Sequence, residues 1–385
     1  MSEPTATPGA DPATTRIDRD ETEVGSVFVS NYPAYSFWDE EDVPKARQAL
    51  ASPPNPDSQL GLYLHIPFCR KRCKFCYFRV YTDKNADQIQ TYLDALAREV
   101  EHYAQQPAIQ GRPLYFVYFG GGTPSYISSR HLRALVDRIK DVMPWDQTDE
   151  IAFECEPGTL TKAKLETIRD IGVTRLSLGL ENLNDEILHH NGRAHVSKEI
   201  YQVMPWVKEL DFDQVNVDLI AGMVGETWER WRETVQKTID LDPDTVTVYQ
   251  MELPYNTVYS KDLLSGDSEA IPLADWKTKR AWHAYAFEQF AAAGYTRSSA
   301  YTMKKTPEAR FVYRDAVWTG QDMIGAGVAS FSHMNGVHYQ NAPRWEDYLG
   351  TIDRGDLPLH RAFATNRDEQ LIRELILQLK LGAID

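Results

Sequence analysis

The sequence HIPFCRKRCKFCYF, at residues 65–78, places three of the chain's four cysteines within eight positions. Cys69, Cys73 and Cys76 follow the spacing C-x3-C-x2-C, and the remaining cysteine, Cys155, lies far along the chain. Three thiolates this close together can bind three irons of one iron–sulfur cluster and leave a fourth iron without a protein ligand. That iron is an open coordination site for chemistry, which a cluster with four cysteine ligands lacks.

Two other uses of these cysteines agree less well with the sequence. A disulfide with a spare thiol is disfavoured, because the chain shows no secretory signal and uses cysteine sparingly. A structural zinc site takes four ligands, usually in paired knuckles. His65 could be the fourth ligand, but zinc does not account for the glycine-rich GGGTP string at residues 120–124. The pattern therefore favours an iron–sulfur cluster.

Composition and charge restrict the function further. The chain has 385 residues, of which 42% are hydrophobic, enough for one large domain with small appendages. Its formal net charge of -15 argues against a nucleic-acid groove. No apolar run approaches the roughly 20 residues that span a bilayer. We predict a soluble protein of the reducing cytoplasm, where thiolates stay available for a cluster.

Strand and helix patterns alternate from residue 60 onward. Six strand–helix units with short turns indicate a parallel sheet covered by helices. Six units are too few to close an eight-stranded barrel, so we predict an α/β fold with an open, partial (βα)6 barrel. Ligands should bind at the carboxyl ends of its strands. The predicted strands are 62–65, 114–119, 151–154, 175–179, 214–220 and 245–250, and the predicted helices are 86–105, 129–143, 162–171, 198–210 and 228–241.

The sequence on either side of this core differs in character. The N-terminal arm contains Tyr32, Tyr35, Phe37 and Trp38, which could close over a flat ligand or pack on the barrel. Beyond the core we predict a helix at 273–293, a strand near 295–301 and a glycine-rich segment at 324–328. The predicted divisions are a disordered tail at 1–24, the arm and linker at 25–58, the core at 59–255, a C-terminal α+β extension at 256–365 and the start of a helical cap at 366–385.

The glycines of GGGTP follow the second predicted strand. Without side chains there, backbone amides can approach a ligand closely. A glycine run alone is usually a tight turn. GGGTP follows the second predicted strand, and the cysteines follow the first. The two neighbouring strand ends favour a ligand-binding loop at GGGTP.

Seven strings together resemble one branch of the radical S-adenosylmethionine (SAM) proteins. This is the branch similar to oxygen-independent coproporphyrinogen III dehydrogenase, which also holds haem chaperones and class C radical SAM methyltransferases. The likeness covers about residues 25 to 385. The strings are LYLHIPFC with its following cysteines, FGGGTPSY, FECEP, RLSLGLEN, HHNGRAH, NVDLIAGM and GAGVASFS.

The resemblance implies roles for particular residues. Cys69, Cys73 and Cys76 would hold a [4Fe-4S] cluster, and its open iron would chelate SAM. Residues expected to contact that SAM are Tyr63, Gly121 and Glu154. Those expected to hold a second SAM are Phe75, Gly122, Thr123, Glu181, Arg193 and Asp218. Glu181 stands where the family usually has Gln, so a negative charge replaces an amide. A packed thiol is the expectation for Cys155.

Two departures from the family narrow the predicted reaction. The dehydrogenases carry a further cysteine two residues after the third ligand, where this chain has Phe78. The haem chaperones carry an HNxxYW string, and the aligning segment here, YRDAVW at 313–318, lacks the histidine. His333 and His338 lie nearby, but isolated histidines are more often packing residues than haem ligands.

The remaining prediction is an enzyme that cleaves SAM reductively to a 5′-deoxyadenosyl radical. A second SAM would then methylate or cyclopropanate a planar aromatic or conjugated small molecule. The alternatives are a coproporphyrinogen III dehydrogenase, which decarboxylates oxidatively in haem biosynthesis, and a haem-binding chaperone. The expected partners are the planar substrate and an electron donor such as flavodoxin or ferredoxin, with no nucleic acid and no membrane span.

Overall fold

The computed structural model of the chain describes residues 21–26, 32–265 and 272–382. Nearly all of the predicted tail at 1–24 therefore lies outside the described residues, as does the end of the predicted cap. The domain divisions stay predictions. Within the described residues, no helix is both long and apolar enough to cross a bilayer.

Six parallel strands and their helices form the core close to where the sequence predicted them. The parallel strands are β1 (Leu60–Ile66), β2 (Leu114–Gly121), β3 (Glu150–Cys155), β4 (Arg175–Glu181), β5 (Gln214–Ala221) and β6 (Thr245–Gln250). The helices up to β6 are α1 (Val43–Ala51), α2 (Ala86–Ala104), α3 (Ser129–Lys140), α4 (Lys162–Asp170), α5 (Asp185–His190), α6 (Ser197–Glu209) and α7 (Trp228–Leu241). The short helix α5 was not predicted.

The rest of the chain extends this sheet at both edges. Its strands are β7 (Thr296–Arg297), β8 (Thr302–Lys304), β9 (Asp322–Ala326), β10 (Phe331–Met334), β11 (Val337–Asn341) and β12 (Leu359–Ala364). Its helices are α8 (Val258–Ser265), α9 (Trp276–Ala292), α10 (Val312–Trp318), α11 (Trp345–Asp353) and α12 (Arg367–Gln378). One open sheet results, in the order β12-β11-β10-β9-β1-β2-β3-β4-β5-β6-β8-β7.

The glycine-rich segment at 324–328 supplies a strand that the sequence did not predict. Strand β9 pairs with β1 in parallel, with Leu62 opposite Ile324 and Leu64 opposite Ala326. A side chain at Gly325 would collide with the backbone of Phe331, 2.2 Å from its carbonyl oxygen. Glycine there allows the chain to turn back closely into the antiparallel part, β10 to β12.

The core forms because alternate residues of each parallel strand point outward under the helices. Leu62, Leu64, Val117 and Phe119 are buried in this way. The helices are fixed at their starts by side-chain caps, such as the capping box in which Asn85 accepts from the N–H of Gln88. The other strand face lines the inside of the open barrel, where functional side chains can gather.

The N-terminal arm packs on the C-terminal extension. The ring of Tyr35 lies 4.5 Å from that of Phe331, and the ring of Trp38 lies 5.5 Å from that of His338. Asp39 also pairs with Ala362 of β12 as an isolated bridge. Phe37 points outward and is 61% exposed. The arm therefore contacts each of the strands β10, β11 and β12.

Candidate active site

The cysteines lie on the loop that follows β1. The loop folds back on itself, since the N–H of Tyr81 donates to Pro67 O at 2.7 Å and the N–H of Cys69 donates to Tyr81 O at 3.1 Å. A second turn forms where the N–H of Cys76 donates to Cys73 O at 3.1 Å. All three cysteines of the loop are free thiols at intermediate exposure, at the carboxyl end of the barrel.

Two side chains from other loops, one after β2 and one between α5 and α6, donate hydrogen bonds to the sulfurs. Thr123 Oγ1 donates to Cys69 Sγ at 3.3 Å, and Arg193 Nη1 donates to Cys73 Sγ at 3.3 Å. A Cβ at Gly122 would lie 3.0 Å from Cys69 Sγ, so glycine lets the GGGTP loop approach the sulfur. Hydrogen bonds to sulfurs are one means by which proteins tune iron–sulfur clusters.

The electrostatics of the thiols suit a metal cluster. Burial, the foremost cause, raises the pKa of Cys69 to about 12 and that of Cys76 to about 11, and neighbouring cysteines add to both shifts. Only a strong positive charge would hold these groups as thiolates, and irons supply one. Among the described residues no three His, Cys, Asp or Glu side chains could share one metal ion. A cluster does not require that, because each thiolate binds a different iron.

The ends of β2 and β3 form a second part of the site. Glu154 accepts hydrogen bonds from Tyr118 Oη at 2.6 Å and from the N–H of Gly121 at 3.2 Å. Gly121 has φ +116°, a conformation that favours glycine. Burial raises the pKa of Glu154 to about 7, and the nearby Asp218 carboxylate adds to the shift. No cation forms an ion pair with Glu154 in the part of the chain that the structure describes, so a cationic ligand group would be stabilised here.

The structure brings the remaining predicted residues to the same end of the sheet. Arg193 Nη2 donates to Gly179 O at 2.6 Å, and Arg193 Nη1 lies 3.6 Å from Glu181 Oε1. Glu181 has φ +63°, an uncommon conformation for a residue with a side chain and one found at many functional sites. The Arg193 Nε is buried without an acceptor and is available to a ligand.

Asp218, Tyr63 and Phe75 take different positions around this centre. Asp218 lies within β5 and accepts from Asn216 Nδ2 at 3.0 Å and Ser177 Oγ at 3.2 Å. Tyr63 Oη is hydrogen-bonded to His65 Nδ1 at 3.1 Å. Phe75 packs against a small apolar cluster beyond β5 and β6, whose buried members are Val224, Met251, Leu253 and Tyr259.

A wall of tyrosines lines the barrel interior, which the sequence reasoning missed. The rings of Tyr63 and Tyr118 stack at 5.8 Å, and those of Tyr118 and Tyr313 stack at 4.1 Å. Tyr77 is 44% and Tyr249 45% exposed, yet burial raises the pKa of both. Side chains that solvent reaches but protein surrounds form the wall of an open cavity. For Tyr63, Tyr118 and Tyr249 the sequence signal was their place within strands, whereas Tyr77 on the cysteine loop and Tyr313 in α10 had no such signal.

A buried pair behind Arg193 was also missed. His195 Nδ1 and Glu156 Oε1 lie 2.7 Å apart, and Glu156 also accepts from the N–H of Gly158. The pair joins the end of β3 to the segment that carries Arg193. It therefore helps to position the guanidinium that contacts Cys73. The signal was present in the strings FECEP and HHNGRAH, which supply the two partners.

The segments considered for haem binding have other roles. Residues 313–318 lie in α10, and Tyr313 belongs to the tyrosine wall. His333 and His338 face each other across β10 and β11 with ring centroids 4.5 Å apart. Cys155 is buried in β3, in agreement with the packed thiol that the sequence predicted.

Comparison with known proteins shows which proteins the chain resembles. The model of the radical SAM superfamily matches residues 63–238. The oxygen-independent coproporphyrinogen III oxidase of Synechocystis is 28% identical, covering 92% of this chain and 78% of its own length. The haem chaperone of Bacillus subtilis is 26% identical, with 83% of each chain covered.

The fold has a close counterpart among solved structures. The coproporphyrinogen III oxidase of Escherichia coli, described as a radical SAM enzyme, superposes with a TM-score of 0.80. The match covers 91% of this chain and 82% of that one at 24% identity. This similarity supports the predicted α/β fold with an unclosed barrel.

The superfamily match, the curated relatives and the shared fold lead to one conclusion. Radical SAM proteins use a [4Fe-4S] cluster and SAM, and the free thiols, sulfur donors and uncompensated Glu154 fit both. The chain therefore carries a radical SAM domain at residues 63–238 and is similar over most of its length to oxygen-independent coproporphyrinogen III oxidases and haem chaperones.

Proposed function

We propose that the chain is an oxygen-independent oxidase of the coproporphyrinogen III type, acting on propionate side chains of a tetrapyrrole. The observation that carries the proposal is the open cavity beside the cysteine loop, walled by Tyr77, Tyr249 and Tyr313. Tyrosine faces suit a large, flat, conjugated ligand. Similarity to the Synechocystis oxidase over most of both chains supports this substrate class above the others.

Three cysteines and two donors would hold the cluster. We assign Cys69, Cys73 and Cys76 as ligands, with Thr123 and Arg193 supporting the sulfurs of Cys69 and Cys73. When bound, the reduced cluster and SAM would supply the carbon-centred radical that abstracts hydrogen. The chain itself binds and orients SAM and the substrate, and it excludes water from the place where hydrogen is abstracted.

Glu154 and Gly121 would orient SAM. The Glu154 carboxylate has no cation partner among the described residues, so it can pair with the ammonium group of SAM. Gly121 and Tyr118 each donate a hydrogen bond to one oxygen of the Glu154 carboxylate and so orient it. We assign Tyr63 to the same ligand, and Phe75, Gly122, Thr123, Glu181, Arg193 and Asp218 to a second SAM beside it.

The overall reaction converts a propionate to a vinyl group. The propionate loses one hydrogen atom to the SAM-derived radical and then releases carbon dioxide and one electron. The electron must pass to a one-electron acceptor. The reduction that starts each turnover requires an electron donor, for which we propose flavodoxin or ferredoxin. The exposed Lys71 and Arg79 on the cysteine loop would favour an acidic donor.

Anaerobic turnover tests the proposal directly. The reconstituted enzyme, given SAM, a reductant and coproporphyrinogen III, should yield 5′-deoxyadenosine and a product lighter by the mass of carbon dioxide and two hydrogen atoms for each converted propionate. Mass spectrometry measures both. If coproporphyrinogen III is left unchanged while the cluster is intact, the substrate assignment is wrong.

A second candidate is methyl transfer or cyclopropanation of a planar substrate. It is favoured by Phe78, which stands where the dehydrogenases have a cysteine. Phe78 is exposed and packs on Tyr77 at 4.5 Å between ring centroids, at the edge of the cavity. In this case the same assay would form S-adenosylhomocysteine and release no carbon dioxide. Stoichiometric haem uptake without SAM turnover would instead indicate a chaperone.

A further inference from the structure

Arg373 carries a buried charge without a counterion. The residue lies on α12 and is only 5% exposed. Its Nη2 donates to Val317 O at 2.9 Å, while its Nε is buried and has no acceptor. No carboxylate of the described residues forms an ion pair with it. A buried guanidinium in this state is costly unless an anion joins it.

Arg361, on β12, is a half-buried second cation, and both arginines act on Tyr35. Its Nε donates to Gln340 Oε1 at 2.6 Å and its Nη1 to Tyr35 O at 2.9 Å, and both acceptors are neutral. It too has no ion pair with a described carboxylate. Two unpaired arginines are unexpected in a chain with 56 acidic and 41 basic residues.

The groups around these arginines do not neutralise them. Burial lowers the pKa of His333 and His338, and Arg373 adds to both shifts, so the pair is uncharged at neutral pH. The Nε2 of His338 is buried without a partner. Asp322 is already paired with Arg112 at 3.0 Å. Glu374, the neighbour of Arg373 on α12, is exposed and forms no ion pair with it.

Tyr35 links the two arginines to the tyrosine-walled cavity. Both guanidiniums are near enough to lower the pKa of Tyr35, although burial raises it overall. Tyr35 is also near enough to Tyr313 and Tyr77 to raise their pKa values. Both of those tyrosines line the cavity beside the cysteine loop. Arg361 donates to Tyr35 O, and Arg373 donates to Val317 O in the helix that carries Tyr313, so one inner surface joins the cysteine loop to the arginines.

We propose that Arg373 and Arg361 bind carboxylate groups of the substrate, at the part of the inner surface formed by β12 and α12. The inference rests on the proposed function, because it takes the substrate to be a flat polycarboxylate. A guanidinium offers paired N–H donors that match a carboxylate. The unpaired Arg373 Nε and His338 Nε2 would face the same group.

Binding of a stable, fluorescent analogue tests this site apart from catalysis. Coproporphyrin III and its tetramethyl ester are titrated anaerobically into the reconstituted holoenzyme. The acid should bind about tenfold to a hundredfold more tightly than the ester, the usual range for charged hydrogen bonds. Arg361→Gln and Arg373→Gln should remove that preference. Arg367→Gln, an exposed position on the same helix, should keep it. Equal affinity of the wild type for acid and ester would overturn the proposal.

A second measurement, of the melting temperature with a small carboxylate, tests the anion site even if a variant misfolds or the substrate is not a tetrapyrrole. Propionate is the probe, with sodium chloride at matched ionic strength as the reference. Propionate should raise the melting temperature of the wild type and of Arg367→Gln, and have no such effect on Arg361→Gln. If neither porphyrin binds but propionate stabilises in this pattern, the tetrapyrrole assignment fails and the anion site stands. If propionate has no effect on the wild type, the anion site fails.

Discussion

The two parts of the inner surface carry opposite charge. At the carboxyl ends of β3 to β5 are Glu154, Glu181 and Asp218, which we call the acidic end; only Arg193 forms an ion pair there among the described residues. At β12 and α12 are Arg361 and Arg373, the basic end, where neither arginine forms an ion pair with a carboxylate of the described residues. The acidic end suits the ammonium and sulfonium of SAM, and the basic end suits a carboxylate substrate. Under the proposals above, this difference would allow one cavity to hold two charged ligands in distinct places.

Removing a cysteine of the loop should have the largest effect on activity. It should abolish the chemistry at the acidic end and leave ligand binding at the basic end intact. In Cys73→Ala the iron–sulfur absorbance and all SAM cleavage should be lost, because one iron loses its ligand and Arg193 its sulfur acceptor. Binding of coproporphyrin III at the basic end should persist. Absorbance spectra, 5′-deoxyadenosine yield and fluorescence titration measure the three properties. Cys155→Ala is the matched control, and SAM cleavage by Cys73→Ala would contradict the assignment.

Neutralising the acidic end should weaken SAM binding. Glu154→Gln keeps the shape of the side chain but removes the charge that would pair with the ammonium group. The loss of a buried charged hydrogen bond, about 2–3 kcal/mol, corresponds to roughly thirtyfold to 150-fold weaker binding. Equilibrium dialysis of SAM on the reconstituted enzyme measures it. Glu186→Gln, at an exposed residue of α5, is the control, and an unchanged SAM affinity in Glu154→Gln would refute the pairing.

A buried carboxyl group away from both ends should make the free energy of unfolding depend on pH. Glu99 accepts from Tyr348 Oη, Asn341 Nδ2 and the N–H of Gly327, joining α2 to the C-terminal extension. Burial raises its pKa to about 8. Above its ordinary value near 4.5 the unfolded chain loses the proton while the folded chain keeps it, so stability falls as pH rises towards 8.

The Glu99→Gln variant isolates that contribution. The free energy of unfolding of the wild type should fall by about 3 kcal/mol or more between pH 5 and pH 8 from this group. The variant should lack that part of the slope. Urea unfolding at several pH values measures it. Glu101→Gln, at a half-buried residue of the same helix that pairs with Arg138, should retain the wild-type slope. A variant with an unchanged slope would show that Glu99 is ionised in the folded protein.

The smallest effect should come from replacing a glycine of the acidic end by alanine, which lowers the stability of the fold. Gly121 and Gly111 both have positive φ, but a Cβ at Gly121 would lie 2.6 Å from the His65 ring, whereas one at Gly111 meets nothing within 4 Å. Alanine at Gly111 should cost only backbone strain, about 1–2 kcal/mol. Alanine at Gly121 should cost about 1 kcal/mol more, because the ring must move. Thermal unfolding compares them, and equal losses would mean that the ring adjusts freely.

The parallel core could be predicted from the sequence because its signals are local. Strand β6 and helix α7 begin and end where alternation, caps and apolar spacing place them. Strand β9 could not be predicted, since its partner β1 is far away in the chain and its glycines are typical of a loop. The strand expected near residues 295–301 is a short hairpin, β7 and β8, whose pairing is also decided by tertiary contacts.

The strand-end rule located the site, but not all of its parts. Thr123 and Arg193 were predicted to bind SAM, and the structure also places both at cysteine sulfurs. The Glu156–His195 pair and the basic end lack a short motif, because each joins residues from separate elements. Of the predicted aromatic arm, Tyr35 and Trp38 pack on the extension. Tyr35 thereby borders the cavity, which composition alone could not indicate.

The pairing of β9 with β1 has a consequence for how the enzyme is made. During synthesis β1 emerges early, yet one of its two neighbours, at residues 322–326, is among the last strands to leave the ribosome. Until then the strand that carries the cysteine loop has one unpaired edge, and Gly327 cannot pack against His65. In the nascent chain the cysteine loop is therefore not yet held in its final position. We expect the cluster to be inserted after synthesis of the chain is finished.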